Sequence, residues 1–164
     1  MSPRAAARLA TLGFGRVYHY VGGKADWGSF GLPIEGIDGN ETRAGAHVRS
    51  DVPTCRLDDR LADVCEQVKR AGWDTCFVLD ETAVVLGRLG RTALSGDRDR
   101  SVEEAMTPAP STVRPSARLE AMVERMREQN LSNLPVTTSD GRLVGLLTRE
   151  DAERALADNP DDVR

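Results

Sequence analysis

Aromatic residues are scarce, 4% of 164 residues, with two Trp, two Tyr and three Phe, so Val, Leu, Ala and Met must supply the core. No apolar run approaches the ~20 residues needed to cross a bilayer. The start, MSPRAAARLATLG, also lacks the continuous apolar stretch of a secretory signal. A soluble, cytoplasmic protein is expected, with no membrane partner. Positive charge is not in excess: Lys+Arg 22 against Asp+Glu 26 gives a net −4. That balance argues against nucleic-acid binding driven by general phosphate attraction. Cys55, Cys65 and Cys76 are odd in number, widely spaced and without a CxxC pair. They form neither a disulfide framework nor a zinc knuckle. His19 and His47 stand apart from them, so no metal site is expected.

What the chain does have is an internal repeat. Shifted by 58, the segment from Thr54 lies on the segment from Thr112 without a gap. Thr54 meets Thr112, Arg56 meets Arg114, Leu61 meets Leu119, Val78 meets Val136, Gly87 meets Gly145 and Arg91 meets Arg149. Identities are few, but the apolar pattern holds throughout.

Each copy opens on a short extended piece, Pro53-Thr54-Cys55 or Ser111-Thr112-Val113. An amphipathic helix follows, with Leu61, Val64, Cys65 and Val68 in one copy and Leu119, Met122, Val123 and Met126 in the other at i, i+3, i+4 and i+7. Asp58 and Ser116 are candidate N-caps, and Gly72 and Asn130 candidate stops. Two strands come next, Thr75 to Leu79 with Ala83 to Leu89, and Leu134 to Thr137 with Arg142 to Leu147, the latter pair turning at Asp140-Gly141. A last helix opens near Arg91 or at Thr148. The unit is β-α-β-β-α, about 45 residues, too small to hold a full core alone. The expected fold is therefore α/β (α+β), with two such units packed about a pseudo-two-fold axis.

The first repeat spans 46–95 and the second 111–157, joined by a 96–110 linker. In that linker Ser101-Val-Glu-Glu104 reads as a capping box opening a short helix, which Pro108 and Pro110 end. Residues 1–45 are a separate extension and linker. Arg4 to Leu12 favours helix, Gly15 to Val21 reads as a strand, and Gly22-Gly23 and Gly28 to Pro33 read as loop. A tail at 158–164 should fray.

The second copy carries a family resemblance in Thr112-Val113-Arg-Pro115, Leu134-Pro135-Val136 and Asp140-Gly141-Arg-Leu-Val144-Gly145-Leu-Leu-Thr148-Arg-Glu-Asp151. These stretches, with Met106-Thr107-Pro108 as a lead-in, resemble the cystathionine-β-synthase-type (CBS) domain, over roughly residues 45 to 157. The resemblance implies a tandem pair, often called a Bateman module. Many members bind an adenosine-containing ligand (AMP, ADP, ATP or S-adenosylmethionine) between repeats, and such modules commonly pair into discs. It points to a site at Thr112, Val113, Asn133, Leu134, Pro135, Thr148, Arg149 and Asp151. Thr148 and Asp151 would sit where a helix N-terminus favours phosphate. The Asp carboxylate can accept from both vicinal ribose hydroxyls, and Arg149 can meet phosphate charge. Backbone groups near Thr112-Val113 and Asn133-Leu134 would read the adenine edge, with Leu134 and Pro135 as an apolar wall. Thr-x-x-Asp is equally a helix N-cap with an acidic first turn, worth about 1 kcal/mol with no ligand.

The first copy departs from that pattern. Gly90 stands opposite Thr148 and Ala93 opposite Asp151, while Cys76 and Phe77 stand opposite Leu134-Pro135, so one competent site per chain is expected. Gly13 to Val21, Gly23-Lys24-Ala-Asp26-Trp27 and Gly31 to Gly36 resemble the C-terminal end of a rhodanese domain, over about 35 residues. No Cys precedes Cys55, so that family's nucleophile loop is missing and sulfur transfer is not expected. Tyr18, Tyr20, Trp27 and Phe30 would instead dock on the repeats or lengthen a dimer surface. His19, Lys24 and Asp26 read as a glycine-bordered surface turn. The expectation is a non-catalytic regulatory module that requires no cofactor, binds an adenosine nucleotide or S-adenosylmethionine as regulatory ligand, forms a homodimer and acts on a separate effector protein. The alternatives are a dimerisation scaffold without ligand and a degenerate sulfurtransferase remnant.

Overall fold

The alanine-rich start of the chain winds into helix α1 (Pro3–Thr11), and a second helix, α2 (Gly23–Ser29), follows. The computed structural model describes residues 3–18, 20, 23–30, 32–33 and 42–158. The α2 helix corrects the sequence reading, which has a turn at Gly23 and loop from Gly28. Asp26 in its first turn complements the helix dipole, and Tyr20 Oη donates to Asp26 Oδ2 at 2.6 Å. Tyr20 meets Trp27 edge to face at 5.4 Å, and Trp27 Nε1 donates to Pro33 O at 2.8 Å. The expected strand does not form at Gly15–Tyr18 or at Tyr20; His19 and Val21 lie outside the described residues. Of the four aromatics named for docking, Trp27 is half-buried, while Tyr18 is 81% exposed and Tyr20 and Phe30 are exposed. Small polar groups make contact with the repeats, with Ser139 Oγ donating to Asp26 Oδ1 at 3.4 Å and Gly28 seated on Ser116.

The repeats follow. The first contains β1 (Thr54–Cys55), α3 (Leu61–Arg70), β2 (Cys76–Leu79), β3 (Val85–Leu89) and α4 (Arg91–Ser95). The intervening segment holds α5 (Val102–Ala105) and β4 (Thr107–Pro108), and the second repeat contains α6 (Leu119–Glu128), β5 (Asn133–Thr137), β6 (Leu143–Thr148) and α7 (Arg149–Asp158). The apolar stripe of α3 is buried with Cys55, Cys76, Val78 and Leu89, and that of α6 with Val113, Leu134, Val136 and Leu147. The chain leaves both helices through left-handed residues, Gly72 (φ +73°) and Asn130 (φ +50°). No described helix is long and apolar enough to cross a membrane.

Each sheet is completed by the segment that precedes the other repeat. In the first, β1 is parallel to β2, β2 antiparallel to β3, and β3 antiparallel to β4 from the intervening segment. In the second, Val113 bridges Val136 in parallel, β5 and β6 are antiparallel, and Arg49 bridges Leu146. Arg49 N–H donates to Leu146 O at 2.9 Å and Leu146 N–H to Arg49 O at 3.0 Å. A 3-10 turn at Ala44–His47 buries Ala44 in the second core, while Val102 of α5 is buried in the first. The short helix, expected to run to Pro108 and Pro110, ends at Ala105, and Thr107–Pro108 form β4 instead.

The same exchange corrects the expected caps. The caps of α3 and α6 are Arg60 and Arg118, neither with a side-chain cap bond. Each bridges the opposite lead-in, Arg60 to Ser101 and Arg118 to Arg43, and Leu119 N–H donates to Thr42 O at 2.9 Å. A backbone carbonyl there does the work of a cap side chain. Ser101 of α5 does form the expected capping box with Glu104.

The two halves also join directly. Val85 N–H donates to Gly141 O at 3.1 Å and Leu143 N–H to Ala83 O at 3.0 Å, while Val52, Phe77 and Leu146 share a buried cluster. Gly141 has φ +85°, but its counterpart Ala83 holds φ +67° against a Cβ penalty. Ala83→Gly should therefore stabilise the protein by roughly 0.5–1 kcal/mol in urea unfolding. At Gly145 a Cβ would lie 2.6 Å from Arg49 O, whereas at Gly87 it would meet the Met106 sulfur at 2.3 Å. A backbone carbonyl cannot step aside as a thioether can. Gly145→Ala should cost about 2–3 kcal/mol and Gly87→Ala clearly less, read from the same urea midpoints.

Candidate functional site

Thr148 ends β6 and caps α7. Its Oγ1 accepts from Asp151 N–H at 3.1 Å and donates to Asp151 Oδ2 at 2.6 Å. Asp151 Oδ1 accepts from Arg154 Nη1 at 3.2 Å, and Arg154 Nη2 pairs with Glu150 at 2.8 Å. The capping reading of Thr-x-x-Asp is therefore realised, with the carboxylate folded back on its cap.

One wall of a cleft of about 590 Å³ is the α7 face that carries Asp151, Arg154, Ala155 and Asp158. The facing wall is the lead-in to the first repeat, His47, Val48 and Arg49. The β-bridge between Arg49 and Leu146 brings the walls together across the exchange. Arg49 has a settled position: its guanidinium lies 4.3 Å from the Trp73 ring centroid, and Nε and Nη2 donate to Asp51 Oδ1 and Oδ2 at 3.1 and 2.7 Å. Those hydrogen bonds hold Asp51 below the usual carboxylate range and raise Arg49 above the usual arginine value, with the Asp151 charge adding to the latter. The pair is exposed and contributes little to stability.

The residues singled out in the sequence divide. Asn133 is the cross-strand partner of Thr148, and Arg149 N–H donates to Ser132 O at 2.9 Å, so Asn133, Thr148, Arg149 and Asp151 gather at one end of the β5–β6 hairpin. Arg149 is not among the residues lining the cleft; Arg49 and Arg154 are its arginines. Val113 N–H donates to Pro135 O and Val113 O accepts from Thr137 N–H, both at 2.9 Å, so the backbone groups of Val113 are engaged within the sheet. Thr112 Oγ1 accepts from Thr137 Oγ1 at 2.9 Å. Leu134 and Pro135 are buried in the sheet. Sequence reasoning missed the arginines. Arg154, Ala155 and Asp158 follow Asp151 at i+3, i+4 and i+7, a helical face that could have been read; nothing local marks Arg49.

The counterpart cleft in the first repeat is smaller, about 320 Å³, and is lined by Ala93 and Gly90 where the second has Asp151 and Thr148 nearby. Its helix α4 has only five residues and no side-chain cap. The three cysteines are buried together in the first core, and a hydrogen bond to Cys55 with burial pushes the Cys76 thiol well above its usual range. A protonated, buried thiol is a poor nucleophile. Among the described residues no His/Cys/Asp/Glu group is placed to hold a metal.

Residues 102–158 match the family model of the CBS domain, and the exchanged sheets give the chain a fold similar to those of solved CBS-domain pairs. Among curated proteins the chain is similar to the chloroplastic CBS domain-containing protein CBSX2 of Arabidopsis thaliana, 43% identical over 127 residues covering 76% of this chain and 48% of that protein. The chain thus spans about half the length of that relative. A crystal structure of CBSX2 in complex with AMP superposes with a TM-score of 0.63 at 25% identity, covering 71% of this chain and 96% of that one. The cytosolic domain of the Mg2+ channel MgtE in complex with ATP gives 0.64 at 25% identity, over 73% and 51%. The CBS domain pair of MJ0100, with 5-methylthioadenosine and S-adenosyl-L-methionine, gives 0.62 at 18% identity over 72% and 98%, a likeness of fold.

Because the Thr148 hydroxyl bonds the α7 backbone, Thr148→Ala should lower stability by about 1 kcal/mol, while Thr148→Ser, which keeps the cap bond, should stay within a few tenths; thermal denaturation of the two variants checks the contrast.

Proposed function

We propose that this chain is a regulatory, non-catalytic module that binds an adenosine-containing ligand in the cleft of its second repeat and passes the bound state to a separate effector protein. The observation that carries this is the asymmetry of the two clefts. Both are lined by two arginines, but the larger holds on the first turn of its helix a carboxylate able to grip a ribose, where its counterpart has alanine, with glycine in the hydroxyl position. The complexes of CBSX2 with AMP and MgtE with ATP support the ligand class. On binding, ribose hydroxyls would replace Thr148 and Arg154 as donors to Asp151, so the bond within the cap is exchanged rather than lost. The ligand shifts populations only by its differential affinity for the two states.

The dimer belongs to the same reading. The α6/α7 groove, about 550 Å³, carries Glu120, Glu124 and Glu128 beside an Arg127 already paired with Glu153. The equivalent α3/α4 groove, about 440 Å³, carries Lys69 and Arg98 beside an Arg91 paired with Asp74. A two-fold arrangement that sets the first repeat of one copy against the second of the other matches these charges twice; the opposite arrangement sets like against like. The N-terminal segment, read as a rhodanese-like remnant, serves as an accessory surface on the second repeat.

Calorimetric titration with AMP and ATP should show binding that Asp151→Ala weakens at least roughly tenfold, as loss of a charged hydrogen-bonding partner implies. No heat and no melting shift with any adenosine compound leaves the scaffold reading in its place. In sedimentation equilibrium the dimer should weaken with salt. Glu124→Arg with Glu128→Arg should shift it to monomer, and adding Lys69→Glu with Arg98→Glu should restore it.

A further inference from the structure

Arg49 ties the two halves together in a way that neither the core nor the cap requires. Its backbone belongs to the sheet of the second repeat, its side chain lines the cleft beside Asp151, and its guanidinium rests on Trp73 of the first repeat. We infer that Arg49 is the specificity-determining residue of this cleft: it selects ligands with an anionic head group, a nucleoside phosphate over a neutral nucleoside or a sulfonium compound, and in gripping that group it leaves Trp73. The inference rests on the adenosine reading above.

Asp51 already offers Arg49 the two-oxygen geometry that a phosphate presents, at 3.1 and 2.7 Å. It does so in solvent, with the Arg49 side chain 49% and that of Asp51 60% exposed. An exposed carboxylate pair and an exposed cation–π contact are both weak. A phosphate held in the cleft by its own ribose carries more charge and a third oxygen, and the planar guanidinium fork suits it. The carboxylates facing the two guanidiniums are Asp51, on Arg49 itself, Asp151, assigned to the ribose, Glu150, paired with Arg154 at 2.8 Å on the exposed side of α7, and Asp158 at the far end of α7. Arg154 approaches from the opposite wall, so a phosphate between the walls meets two guanidiniums, whereas a sulfonium there meets the same two cations.

The chain has two tryptophans, so a Trp27→Phe background leaves Trp73 as the only indole. Adenosine, AMP, ATP and S-adenosylmethionine are titrated into it while emission is recorded, and affinities are measured in parallel by calorimetry. AMP and ATP should bind at least roughly tenfold more tightly than adenosine or S-adenosylmethionine and change Trp73 emission. Arg49→Met should cut AMP and ATP affinity about tenfold, leave adenosine within about twofold and abolish the emission change, with Arg49→Lys recovering part of the loss. A purely structural role would lower all four affinities together. The inference is overturned if adenosine and AMP bind alike, if Arg49→Met weakens both equally, or if the emission change survives that substitution; each of these leaves the adenosine site standing. Failure of all four compounds to bind removes the adenosine site and this inference together.

Discussion

Two reciprocal hydrogen bonds between Arg49 and Leu146 fasten the lead-in of the first repeat to the sheet of the second. The missing Cβ of Gly145 is what lets the backbones come so close. Everything functional follows from that contact. Neither repeat closes its own sheet or its own core: Ala44 fills the second and Val102 the first, each brought by the segment that leads into the other repeat. A half of about 45 residues buries too little apolar surface to stand alone. Exchange of lead-ins makes the pair fold as one unit.

The exchange also determines what a cleft can contain. One wall always comes from a helix that follows β3 or β6, the other from the lead-in of the opposite repeat. A duplicated chain therefore begins with two equivalent clefts, and substitutions on either wall can retire one without touching the other. Here Gly90 and Ala93 leave the first without a hydroxyl or carboxylate at the positions of Thr148 and Asp151, and its remaining polar groups, Thr92, Asp97 and Thr107 among them, stand elsewhere on its walls. In the second, Thr148, Asp151, Arg154 and Arg49 meet. Core packing was kept in both, so stability and ligand chemistry diverged independently.

Much of the fold was legible because apolar spacing reports burial directly. Leu61, Val64, Cys65 and Val68 point inward as their i, i+3, i+4, i+7 spacing says, and the hairpins fall within a residue or two of their expected bounds. Ser101-x-x-Glu104 was readable as a cap because its bonds are local. The errors have one physical source, the action of distant residues. Asp58 and Ser116 look like caps, yet Asp59 Oδ2 accepts from Arg56 N–H and backbone from the other lead-in covers the helix starts. Arg16-Val17-Tyr18 alternates like a strand but pairs with neither sheet. Gly23 and Gly28 suggested a turn, while the Tyr20–Asp26 bond and the Tyr20–Trp27 contact hold a helix. In the cleft, Thr148 and Asp151 could be named from their own spacing; Arg49 could not, because only the crossing brings it there.

Amide hydrogen exchange, resolved by residue, tests the crossing most directly. If the lead-in is an integral strand of the second sheet, the amides of Arg49 and Leu146 exchange with protection equal to that of Leu134 and Leu147 in the core hairpin, through the same opening of the whole fold. An Arg49 amide that exchanges freely while Leu134 stays protected would show the lead-in detached, and the two-walled cleft would go with it.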